Sequence, residues 1–307
     1  MQQYLLSFCL FCVVLVAYLH LYRHWKTSQV MEFYEIDNPT KDRWEQVCEL
    51  HQPTLFSRSC PPNLLLYHLH SLKDNLSTRM VSVRSQSNNT MTSFLLPLTQ
   101  ALALFEKDTE SPSYFFDRNR SVFQDVFARN PDFMASLHLM RPPMALRPHV
   151  DILAGSKKTT TPWEYKISYR NYFVVTSGKL VFSFLPYDVG NKCLVPQHDY
   201  DEMHFWSPVP PNFDERKPLI CTAVPGQIVF VPPYWWISIE FAESNSAATL
   251  VQYDTVMSSL STIHYTALYY LQLQNIRLRA SLPPPKPVCV EEKHEEPPSM
   301  EDPAPPP

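Results

Sequence analysis

The sequence predicts a mainly β domain with flanking helices, carried behind one membrane-spanning helix. Three observations predict it. The run from Tyr4 to Leu21, YLLSFCLFCVVLVAYLHL, holds no formal charge. Proline reaches 30 against 4 glycines, a density that helix interiors rarely survive and that strands with proline-rich connections tolerate. Residues 163–186, 219–231 and 237–241 are aromatic and β-branched, broken by Ser177-Gly178 and Pro225-Gly226. Short strands separated by such turn signals suggest a closed all-β barrel or a sandwich.

Composition bounds the remainder. Of 307 residues 45% are hydrophobic and 18% charged, and a body of about 250 residues buries enough surface to fold without staples. A net charge of −4 with no basic run argues against a nucleic-acid partner held through phosphates. Cys9 and Cys12 fall inside the apolar run. The other five cysteines (Cys48, Cys60, Cys193, Cys221, Cys289) show no CxxC spacing. Their odd number fits scattered thiols in a reducing compartment. Sequons at Asn75, Asn88 and Asn119 matter only if the body is lumenal.

As a helix, Tyr4–Leu21 rises about 27 Å, close to the roughly 30 Å of a bilayer core. Tyr22-Arg23-His24-Trp25-Lys26 then combines belt aromatics with positive charge at one interface. A cleaved signal peptide is the alternative. It needs a basic start, which Met1-Gln2-Gln3 lacks, and a small residue three before the cut, where Leu15 stands for a cut after Ala17. Residues 1–3 are therefore the N-terminal end, 4–21 the anchor in contact with the bilayer, and 22–33 a juxtamembrane linker. Arg23 and Lys26 outweigh an uncharged N-terminal side, which places the body in the cytosol.

The body is expected over residues 34–280. Asn38-Pro39-Thr40 precedes a helix over 41–50 with Trp44, Val47 and Cys48 on its apolar face, and residues 53–56 are extended. Residues 74–92 are polar, an edge loop or hairpin. Leu95–Phe105 and Ser121–Ala128 are expected helices. Residues 163–186 and 219–231 each predict a hairpin around a glycine turn, and Ile237–Phe241 a further strand. Residues 258–280 predict a closing helix with apolar positions 260, 263, 267, 268, 271 and 276. The acidic, Pro-rich stretch 281–307 cannot bury a core. Its prolines offer extended surfaces to an unidentified protein partner.

Three stretches share an order and spacing. They are Tyr34-Glu35-Ile36-Asp37-Asn38-Pro39 with Trp44 and Pro53-Thr54-Leu55-Phe56; Asp151 to Gly155, Thr160 to Lys166, Arg170 to Phe173 and Ser177-Gly178-Lys179; and Pro225-Gly226-Gln227-Ile228-Val229-Phe230-Val231-Pro232-Pro233-Tyr234-Trp235-Trp236. Together they resemble the JmjC/cupin-like family of metal- and 2-oxoglutarate-dependent oxygenases. The chain is especially similar to membrane-linked cupin-like proteins of large DNA viruses. The resemblance implies a JmjC-type double-stranded β-helix barrel.

The chemistry of that family needs two histidines and one carboxylate around iron. The resemblance places Glu164, Lys166 and Ile237 at those three positions, and Leu180 where the lysine for 2-oxoglutarate stands. An ammonium and a butyl group cannot ligate Fe(II). The resemblance thus implies an inactive relative with no metal and no cofactor, serving as a binding or structural module. Glu164 and Lys166, two apart on a strand, share a face at a Cα separation of about 6.6 Å. They are expected to form an ion pair capped by Ile237 and Leu180.

Two alternatives stay open. His149-Val150-Asp151 is a literal HxD placed just ahead of the predicted barrel strand, and His204, His198 or His264 would complete a relocated triad for oxygenase or hydrolase chemistry. The vestigial barrel cavity would instead serve a small-ligand receptor. The segment His198–His204 is expected as a solvated loop, and Trp235-Trp236 as core or rim.

Overall fold

Helix α1 (Gln2–Trp25) carries an 18-residue window of mean hydropathy 2.3 that is entirely unburied. Among the described residues it is the one helix long and apolar enough to cross a membrane. Its last turn is built into the body. The Arg23 guanidinium pairs with Glu49, the buried His24 ring lies against Tyr169 and Tyr234, and Trp25 Nε1 donates to the Ser261 carbonyl at 3.2 Å. The computed structural model describes residues 2–58, 60–66, 76–87, 90–109, 112–200, 203–211 and 217–281.

Strand β1 (Tyr34–Asp37) leads to α2 (Lys41–Cys48), β2 (Thr54–Ser57), α3 (Pro62–Leu66) and the pair β3 (Met80–Ser87) and β4 (Thr90–Pro97). Then come α4 (Leu98–Lys107), β5 (Tyr114–Phe116), α5 (Arg120–Ala128), α6 (Pro131–Ser136) and a 3-10 turn at Leu137–Leu139. The middle of the chain supplies β6 (His149–Gly155), β7 (Trp163–Tyr165), β8 (Arg170–Ser177), β9 (Leu180–Leu185) and α7 (Tyr187–Cys193). Strands β10 (Gln197–Asp199), β11 (His204–Ser207), β12 (Leu219–Ala223), β13 (Ile228–Val231), β14 (Trp236–Phe241) and β15 (Ala247–Tyr253) follow, closed by α8 (Val256–Ser261) and α9 (Ile263–Ser281).

Among the described residues the strands form two open sheets. The nine-stranded one runs β1-β2-β13-β8-β15-β6-β5-β3-β4, the six-stranded one β10-β11-β7-β14-β9-β12. The middle of the large sheet is covered on both faces, which is why β13 and the centre of β8 read as apolar runs, whereas β1 alternates and β4 is largely exposed. In β13 the alternation sorts the apolar residues. Ile228 and Phe230 join Trp44, Phe123 and Phe133 under the helices, while Val229 and Val231 join Phe182, Ile237 and Phe241 of the small sheet. Thr40 caps α2 by accepting from Arg43 N at 3.4 Å. Arg170 of β8, almost wholly buried, clamps that helix through Glu45 at 2.6 Å and Glu49 at 3.2 Å.

Several expectations change. The sheets do not close into a barrel. Residues 163–186 are not a hairpin, because β8 and β9 belong to different sheets, and the same holds for β12 and β13. Each glycine turn carries the chain across the core instead. Gly178 (φ +62) and Gly226 (φ +88) take the left-handed backbone that such a sharp crossing needs. At Gly178 a Cβ would meet Ser246 Oγ at 2.4 Å. Leu95 and Leu96 are strand rather than helix. They pair with Ser82 and Val81 in the outermost strand of the large sheet, and Pro97 ends that strand and caps α4. The closing helix is two, since it stops at Thr262 after a Thr255–Ser258 capping box sets its first turn. His149 begins β6 rather than preceding the strand.

Asn119 is no acceptor for a glycan. It is buried, with Oδ1 accepting from Ser82 N at 2.6 Å and Nδ2 donating to Ser82 O at 3.0 Å. Cys9, Cys12, Cys48, Cys60, Cys193 and Cys221 are free thiols. The residues of the Pro-rich tail from 282, Cys289, Asn75 and Asn88 lie outside the described residues.

Candidate functional site

Strand β7 places Trp163 and Tyr165 on one face, in an aromatic cluster with Leu185, Phe205 and Trp236. Glu164 therefore projects from the other face, into a cavity of about 510 Å³ between β6, β7 and α8. Lys166, one residue past the strand, returns to the same face, and its ammonium lies 2.8 Å from Glu164 Oε1. The expected ion pair is formed. His204, at the start of β11, brings Nε2 to 3.1 Å from Glu164 Oε2. Both carboxylate oxygens are therefore engaged.

Burial works against the charge on Glu164. The Lys166 ammonium and then the His204 hydrogen bond outweigh it and hold the carboxyl well below the usual carboxylate range. Burial pushes the His204 imidazole down, against the pull of Glu164. The arrangement is thus a carboxylate flanked by an ammonium and by a neutral imidazole that donates Nε2–H. His204 was expected in a solvated loop, yet it is buried. The following residues of β11, Phe205 to Ser207, pair with β7 beside Glu164 and draw it inward.

The expected cap is half right. Ile237 sits directly opposite Glu164 in the β14–β7 register, in the apolar layer between the sheets. Leu180 does not cap the pair. Phe184, not Leu180, is the β9 residue opposite Ile237, and four strand positions put Leu180 about 13 Å further along.

The relocated triad does not assemble. His149, Asp151 and His204 all line the cavity, but among the described residues no three His, Cys, Asp or Glu side chains group so as to hold a metal ion. The Arg120 guanidinium lies against the ring nitrogens of His149, and burial together with that charge pushes the imidazole down. Asp151 is buried; burial lifts its carboxyl to about 7, with Ile152 N–H opposing and the charge of Asp117 adding. The residues that the resemblance would assign to an iron site, Glu164, Lys166 and Ile237, do not fit iron either. An ammonium occupies one, an alkyl chain the second, and the remaining carboxylate has both oxygens bonded.

Sequence reasoning missed the cationic wall. Asp117-Arg118-Asn119-Arg120 turns β5 into α5 and sets two arginines at the cavity. Asp117 is held at 3.2 Å by the buried Arg84. The signal was available as a dense charged tetrad directly after the apolar Tyr114-Phe115-Phe116. Asp254 faces them from the far wall, accepting from Tyr169 N and Ser168 Oγ, both at 3.2 Å.

No protein-family model matches this chain, and a search of curated proteins returns no match either.

Proposed function

We propose that the chain is a membrane-anchored, catalytically inactive cupin/JmjC-like module that binds a small polar ligand in the cavity beside Glu164. The carrying observation is that the cavity stays open while both oxygens of its central carboxylate are committed to Lys166 and His204. The path of the chain supports the double-stranded β-helix reading. From β6 to β15, leaving out the β10–β11 excursion, successive strands alternate between the sheets except at β9 and β12, which pair side by side.

The walls carry both signs, with Arg118, Arg120 and Lys166 set against Asp117, Asp254 and Glu164. Such a lining favours a small zwitterion over a simple anion. The docked end of α1 favours a retained anchor over a cleaved signal, because Arg23, His24 and Trp25 all have partners on the body. The likeness to cupin-like proteins of large DNA viruses points to a virion or virus-modified membrane as the setting.

The test uses purified full chain in maltoside micelles. Given Fe(II), 2-oxoglutarate and ascorbate it produces no succinate, while one or more free amino acids raise its melting temperature. Arg120→Leu abolishes that rise. Iron-dependent succinate that disappears in His149→Ala contradicts the reading, as does a melting temperature indifferent to every zwitterion offered.

A further inference from the structure

A second cavity, of about 430 Å³, lies where α1 meets the body and is lined by Trp25, Thr27, Tyr187, Tyr234, His264 and Tyr265. Five of those six residues carry rings. They form two walls. One is Trp25 edge-on to His264 at 6.2 Å, with His264 packed on Tyr265 at 4.0 Å. The other is Tyr187 edge-on to Tyr234 at 5.7 Å. Among the described residues no carboxylate, lysine or arginine lines the space. A cation held there would be recognised by ring faces alone, which suits a weakly hydrated quaternary ammonium better than a primary amine.

Tyr234 gives the second, independent sign of a ligand. It is nearly fully buried, yet its hydroxyl has no hydrogen-bond partner among the described residues. Its backbone is left-handed (φ +63) and is fixed by its N–H donating to Lys166 O at 2.9 Å. A bulky residue in that conformation is uncommon and marks a position that the surroundings hold in place. The strain aims a ring at this wall.

Location identifies the source. Trp25 ends the helix that is apolar enough to cross a bilayer, so the cavity opens at headgroup level, where indole and phenol rings concentrate. The exposed Lys26 follows Trp25 and complements a phosphate. We infer that this aromatic cavity takes the phosphocholine headgroup of a bilayer lipid, an inference that rests on the anchor reading above.

Isothermal titration of the full chain in maltoside micelles tests it, with dihexanoylphosphatidylcholine, dihexanoylphosphatidylethanolamine and choline chloride as probes. The expected result is saturable binding of the phosphatidylcholine, with the other two roughly tenfold weaker or more. Trp25→Leu and Tyr265→Leu each weaken the phosphatidylcholine by a similar factor while the far-ultraviolet circular dichroism shows the chain still folded. Equal affinity for the two lipids, or indifference to both substitutions, overturns the site. Choline binding as tightly as the lipid overturns the lipid source. Carbonate extraction from vesicles reads the anchor separately, so a failed anchor and a failed headgroup site are distinguishable.

Discussion

Lys166 places its ammonium 2.8 Å from Glu164 Oε1, with both side chains largely removed from solvent. A buried charge without a partner is strongly destabilising, whereas a paired and hydrogen-bonded one is tolerated. The pair therefore explains how two charged side chains are kept side by side in a largely buried site. It also explains why the cavity stays polar. His204 takes the second oxygen, and Arg118, Arg120 and Asp254 supply compensating charge around the walls.

Asp151 predicts a pH dependence. Its carboxyl ionises near 4 in an unfolded chain but at about 7 in the fold, chiefly through burial. Between those values the unfolded state binds fewer protons, so this group lowers stability as pH rises from 4 to 7 and adds no further change above. Asp117 facing it adds to the effect and Lys166 opposes it. Asp151→Asn keeps an acceptor for Ile152 N–H and removes the titration. Relative to the parent, it should gain up to about 4 kcal/mol across that window. Urea melts at stepped pH measure the difference, and a constant difference contradicts a buried, lifted carboxyl.

Gly178 predicts a backbone cost. A Cβ there meets Ser246 Oγ at 2.4 Å and Ser246 Cα at 2.7 Å, on a left-handed backbone. Gly178→Ala should destabilise by about 2–4 kcal/mol in denaturant melts. A loss below about 0.5 kcal/mol would mean that the crossing between the sheets is not as described.

The anchor predicts two outcomes. The full chain resists carbonate extraction, and a chain beginning at Met31 is soluble. The shortened chain should also be about 1–3 kcal/mol less stable than one beginning at Tyr22. It loses the Arg23–Glu49 pair and bares the rings of Tyr169 and Tyr234 that cover His24. A mature N-terminus near residue 20 contradicts the anchor and identifies a signal sequence.

Much of this was legible from local pattern. Uncharged length exposes α1, Asn38-Pro39-Thr40 announces α2, and period two puts Glu164 and Lys166 on one face. Sheet membership was not legible, because Ser177-Gly178 and Pro225-Gly226 look the same whether a turn folds a strand back on its neighbour or sends it to the opposite sheet. Only packing decides, here through Phe173 and Val229 meeting Phe182 and Ile237 across the core. His204 was hidden for a related reason. The polar run His198–His204 ends at the first residue of β11, whose next three residues pair with β7 and carry it into the core. Leu95 and Leu96 misled in the reverse direction, since their apolar character suits a helix and the hairpin partner Val81-Ser82 claims them.

Glu164 and Lys166 form a buried ion pair on which the site beside them depends, and a double-mutant cycle measures that dependence most directly. Denaturant melts are compared for the parent, Glu164→Leu, Lys166→Met and the double variant. The account predicts that each single change costs roughly 3–5 kcal/mol, because it strands a buried charge. The double variant should cost clearly less than their sum, leaving a coupling of about 2 kcal/mol or more. Single effects near zero that simply add would show that the two side chains do not depend on each other, and the account of the site would fall.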